Sequence, residues 1–150
     1  MENYSFTEHL HNYAVWTAAR AVQRNFTTTS NIKIAIEYVG LKEFVLADKP
    51  LTVPEFKLLH KEWALNIIES LKALGVSTAT YGRAAKIISI YLKRSIILCN
   101  KAACDRSSII HPPIDGILLK KISSVAELKD LKLHVGPNYP KKNTGNWSKG

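Results

Sequence analysis

The sequence predicts an all-α protein, a single compact helical domain of about six helices followed by a basic C-terminal tail. Three observations carry that prediction. Apolar residues recur every three to four positions through most of the chain. Ser/Thr-X-X-Glu capping boxes open three of the periodic stretches. No run alternates with period two over more than four or five residues. The chain has 150 residues, 46% of them hydrophobic, which is too short for two ordinary domains and too apolar for a disordered one.

The first helix is expected over residues 6–25, opened by the capping box Ser5–Glu8 and marked by Phe6, Leu10, Tyr13, Ala14, Ala18 and Val22 at helical spacing. Thr27 to Ser30 break the pattern. Ser30 is a good N-cap for a short second helix over 32–39, and Gly40 can take the left-handed position that ends it. Residues 41–51 read as a connector. Thr52-Val53-Pro54-Glu55 starts a third helix, with proline in the first turn, where its missing N–H is no loss. Phe56, Leu59, Trp63, Ile67 and Leu71 line its buried face and Gly75 ends it. A fourth helix over 80–99 is apolar around most of its circumference and is expected at the centre of the fold. Pro112-Pro113 can open a helix but not lie inside one, so a short fifth helix is expected over 114–122. Ser124-Val125-Ala126-Glu127 opens a sixth, ending near Leu133. From Gly136 onward periodicity is lost, which predicts a helical domain over 1–135 and a mobile tail over 136–150.

Two cysteines, Cys99 and Cys104, make no disulfide framework and too few thiolates for a four-cysteine zinc site, so a reduced, cytoplasmic protein is expected. The N-terminus has no secretory pattern, and the most apolar stretch, 87–99, is interrupted by Lys93 and Arg94, so no membrane partner is expected. The five histidines are scattered, none at i, i+4 from another, and neither a phosphate-binding Gly loop nor a Gly-X-Ser-X-Gly elbow is present. No metal or cofactor is expected.

Charge is unevenly placed. Residues 1–75 hold eight basic and eight acidic side chains, whereas 76–150 hold thirteen basic and four acidic, so the second half carries the whole net charge of +9. That asymmetry points to one face that meets a polyanion. At 100° per residue Arg83, Lys86, Lys93 and Arg94 share an arc of about 100° on the fourth helix, and Lys101 and Arg106 follow in the next connection. No acid is interleaved to relieve their repulsion. These residues are candidates for a groove that tracks phosphates.

Two families are resembled. Arg106-Ser-Ser-Ile-Ile-His111 resembles the Arg-X4–6-His motif of HEPN ribonucleases, which implies that Arg106 and His111 would act together on an RNA phosphodiester. A longer stretch, Leu74-Gly75-Val76, then Tyr81-Gly82-Arg83-Ala84-Ala85, then a long apolar helix, then His111-Pro112-Pro113-Ile114-Asp115-Gly116, resembles the middle of the helix-hairpin-helix base-excision DNA glycosylases. That resemblance implies that Gly82 and Arg83 hold DNA backbone and that Asp115 is the catalytic carboxylate, stabilising an oxocarbenium-like sugar. The lyase lysine of bifunctional members is Ala84 here, which implies monofunctional hydrolysis unless Lys86 substitutes.

The sequence thus leads to a nucleic-acid-binding protein, with DNA favoured over RNA, extending to a glycosylase-like enzyme with Asp115 and Lys86 as catalytic candidates. Gly82, Arg83, Lys93, Arg94, Lys101, Arg106 and His111 would then hold nucleic acid. The rival is a non-catalytic helical binding module in which Trp16, Trp63 and Tyr91 serve only as core.

Overall fold

A computed structural model describes residues 4–22, 24–47, 49–101, 105–111 and 116–124. Among these the secondary structure is helical throughout, with no strand. The α-helices are α1 (Phe6–Val22), α2 (Thr29–Tyr38), α3 (Leu41–Ala47), α4 (Val53–Ala73), α5 (Tyr81–Leu92) and α6 (Gly116–Ser124). A π-helical segment, Lys93–Lys101, continues α5, and a 3-10 turn spans Asp105–Ser108. The chain divides into two compact units, Met1–Ile114 and Asp115–Gly150. The domain boundary expected at 135–136, the sixth helix expected over 124–133 and the tail all lie outside the described residues.

Local chemistry sets most helix ends. Thr52 and Glu55 form a reciprocal capping box, with the Glu55 N–H donating to Thr52 Oγ1 at 3.4 Å and the Thr52 N–H donating to Glu55 Oε2 at 2.8 Å. At its other end α4 closes in a Schellman motif. Gly75 takes φ +85°, the Val76 N–H reaches the Leu71 carbonyl at 2.9 Å and the Gly75 N–H that of Lys72 at 3.0 Å. The cap of α2 is Thr28, two residues earlier than the expected Ser30, its hydroxyl accepting the Asn31 N–H at 3.2 Å. Ser5 accepts the Glu8 N–H at 3.1 Å, but the Glu8 carboxylate turns to Lys42 at 2.8 Å and Lys33 at 3.7 Å, tying α1 to α2 and α3. Lys42 is the main reason the Glu8 carboxyl sits below its ordinary pKa.

Two expectations need correction. Residues 41–47 form α3 rather than connector: Gly40 at φ +75° stops α2, its carbonyl accepts the Phe44 N–H, and Leu41 and Val45 bury one face. Seven residues are too few for a 3.6-residue period to be recognised. Helix α5 stays α-helical only to Leu92, after which hydrogen bonding widens to the π pattern. Within α6 the Ser124 hydroxyl donates to the Lys121 carbonyl at 2.7 Å.

In the first unit α1, α2, α4 and α5 form a ring in which each helix packs on two neighbours, in the order α1, α2, α4, α5 and back to α1. The most extensive packing joins α1 and α5. Ala14, Val15, Ala18 and Ala19 on α1 let it approach Ala84, Ile87, Ile88 and Tyr91 on α5, and all of these are buried. Trp63 and Tyr91 belong to the core as the rival reading required, but Trp16 is 51% exposed. Phe6 and Tyr13, expected on the buried face of α1, are exposed as well. No helix among the described residues is long and apolar enough to cross a membrane.

Candidate nucleic-acid interface

The α1–α5 pair defines the face on which the predicted basic residues fall. His11 meets Tyr91, Tyr13 meets Arg94, and Phe26, just beyond α1, meets Arg83. Residue numbers therefore rise along α1 as they fall along α5, and the helices are antiparallel. Arg83 and Arg94 mark the two ends of the face, about 16 Å apart along the helix axis. Between them, Lys86 and Ile90 are half-buried and Lys93 is exposed, whereas Ala84, Ile87, Ile88, Tyr91 and Leu92 point into the core.

The opposing strip of α1 is Tyr13, Trp16 and Arg20, spaced i, i+3, i+7 and all exposed. The rings of Tyr13 and Trp16 lie nearly parallel, 22° apart with centroids at 6.2 Å, and the Arg94 guanidinium sits over Tyr13 at 5.9 Å. Residues 13–24 and 81–101 together hold seven basic side chains and no acidic one. Glu8, the acid on α1, is drawn away to Lys33 and Lys42. This strip was overlooked because aromatic residues at helical spacing read as core. In the structure Ala14, Val15, Ala18, Ala19 and Val22 complete the buried face of α1 without Tyr13 or Trp16.

The N-terminus of α5 is already furnished. Thr80 caps it by accepting the Arg83 N–H at 3.4 Å. The Arg83 guanidinium donates to the Thr78 carbonyl at 2.7 Å and lies over Phe26 at 4.5 Å. Gly82 stands exposed in the first turn, with nothing within 4 Å of where a Cβ would be. Lys101 ends the π segment and its side chain lies outside what is described, as does Asp115.

Arg106 is placed where it does not meet solvent. It is 2% exposed, its guanidinium donating to the carbonyls of Phe44 at 2.6 Å and Val45 at 3.2 Å and lying over the Phe44 ring at 4.9 Å. These carbonyls belong to the last turn of α3, where helical partners are lacking, so Arg106 closes α3 from 62 residues away. As a phosphate ligand, whether in the basic groove or in a HEPN-like pair with His111, it is therefore corrected to a structural role.

His111 instead packs against α4. Its ring stands 5.1 Å from that of Phe56 and 5.0 Å from that of His60, centroid to centroid. His60 is 7% exposed and its Nε2 has no hydrogen-bond partner among the described residues. Burial first, and the neighbouring His111 imidazole second, lower the His60 pKa below the ordinary histidine value. The unfolded chain then takes up this proton first, so the stability contribution is constant above about pH 7 and is lost as pH falls through the ordinary value of 6.5. The thermal midpoint is expected to drop between pH 7.5 and 5, and less steeply in His60→Met. An equal slope in that variant would remove His60 as the cause.

A second buried polar contact crosses three helices. His11, 4% exposed, hydrogen-bonds Tyr91 Oη through Nδ1 at 2.8 Å and Glu37 Oε1 through Nε2 at 3.0 Å. Glu37 as a carboxylate only accepts, so Nε2 donates to it, and in the tautomer that leaves Nδ1 bare the Tyr91 hydroxyl donates to Nδ1. Burial raises the Tyr91 pKa above that of an ordinary tyrosine and keeps that hydroxyl protonated. No group of three or more metal-ligating side chains occurs among the described residues.

Comparison with known families, with curated proteins and with solved structures returned no match.

Proposed function

We propose that this protein binds nucleic acid through the α1–α5 face. The observation that carries the reading is the one-sided charge: seven basic residues and no acidic one in the segments that build the face. Arg83 and Arg94 are held at its ends by Phe26 and Tyr13. Such a surface attracts a polyanion and releases its counterions, so affinity falls steeply with salt. Catalysis at Asp115, with Lys86 as a helper, has only the glycosylase resemblance in support. The binding reading requires neither.

The test is fluorescence anisotropy of labelled oligonucleotides over a series of salt concentrations. Lys86 and Lys93 lie on the face, outside the core, so Lys86→Glu/Lys93→Glu changes charge without disturbing packing. The double variant is expected to lose at least tenfold in affinity, irrespective of sequence, and to flatten the slope of log K against log salt by about 2. Circular dichroism should be unchanged. Equal affinity and slope for wild type and variant, or no wild-type binding at low salt, would overturn the proposal.

A further inference from the structure

We infer that the α1–α5 face takes single-stranded rather than duplex nucleic acid, with Tyr13 and Trp16 as a platform on which unpaired bases stack. This inference rests on the binding reading above and narrows it to a substrate class.

The pair is built for stacking. The two side chains are 46% and 51% exposed, so both have ring surface in water, where an apolar face is costly unless something covers it. Their planes differ by only 22°. A base laid on one ring is therefore nearly parallel to the other, and successive bases can follow the pair. Arg94 lies over the Tyr13 ring and steadies it, placing positive charge beside the platform. Arg20, one turn along α1 from Trp16, and Lys93, next to Arg94, supply further charge where the sugar-phosphate chain would pass.

Aromatic platforms inside a basic groove are how proteins hold single strands without reading sequence, because every base has a π-face. In a duplex those faces are already covered by neighbouring base pairs. Tyr13 and Trp16 would then meet only phosphates and groove edges and gain nothing. The absence of acidic residues from the segments that form the face favours a polyanion over an ordinary protein surface as the occupant.

The experiment measures binding of a 20-nucleotide single strand and of the corresponding duplex, at matched salt, by wild type, Trp16→Ala, Trp16→Phe and Lys86→Glu/Lys93→Glu. Wild type is expected to prefer the single strand. Trp16→Ala should lose about tenfold on the single strand, retain its duplex affinity and keep its salt slope, whereas Trp16→Phe should recover most of the loss because a ring remains. The charge variant should weaken both ligands. Equal wild-type affinity for strand and duplex, or single-strand binding indifferent to Trp16→Ala, would overturn this inference while leaving the electrostatic reading standing. Wild type that binds neither ligand would remove both, and capture of an acidic peptide in preference to either would move the face to a protein partner. A thermal midpoint measured for each variant separates lost binding from lost folding.

Discussion

Replacing Arg106 with methionine is expected to lower the stability of the helical unit by about 3 kcal/mol, and the thermal midpoint by roughly 10 °C. The estimate comes from what is left behind. The Phe44 and Val45 carbonyls lose a charged donor at 2.6 and 3.2 Å, and each buried group without a partner costs about 1–3 kcal/mol. Methionine fills much of the space beside the Phe44 ring, so the loss reports hydrogen bonding more than cavity formation. Arg106→Lys should recover little, because a single ammonium cannot reproduce the planar fork that reaches two adjacent carbonyls. The check is chemical denaturation of the three proteins, together with nucleic-acid binding under conditions where all are folded. Unchanged stability with lost binding would return Arg106 to the role that the sequence suggested for it.

His11→Ala is expected to cost about 3 kcal/mol, through a cavity and through the loss of the Tyr91 hydroxyl's partner in a site where Tyr91 is only 1% exposed. Tyr91→Phe should cost less, about 1–2 kcal/mol, since shape is kept while the hydroxyl's hydrogen bond to Nδ1 is lost. The informative variant is Tyr91→Phe/His11→Ala. With both polar partners replaced by apolar groups, its loss should fall short of the two single losses added together. Equilibrium unfolding in urea of the four proteins closes this cycle. Strict additivity would show that the 2.8 Å contact does not couple the two residues energetically.

Much of the basic face was legible from charge and spacing alone. Arg83, Lys86, Lys93 and Arg94 stand out because they fall on one side of an otherwise apolar segment, and in the structure none of them lies in the core. The aromatic half was not legible. Tyr13 and Trp16 are apolar, and no local rule says that alanines, rather than larger neighbours, will face α5. The π segment was hidden for a related reason: the i→i+5 pattern has no composition of its own, and Lys93–Lys101 continues the apolar rhythm of α5.

By itself the sequence determined the helical class, the chain positions of α1, α4 and α5, the capping box at Thr52 and the stop at Gly75. Each depends on residues within one or two turns of one another, where backbone sterics and side-chain hydrogen bonds act directly. Tertiary structure alone decided the rest. It turned Arg106 inward onto α3, joined His11 to Tyr91 across 80 residues, set His111 against His60, and left Trp16 in water. These outcomes follow from which helices become neighbours. Arg106 and His11 enter the core where other elements supply their partners, and Trp16 stays outside where small residues already fill the contact.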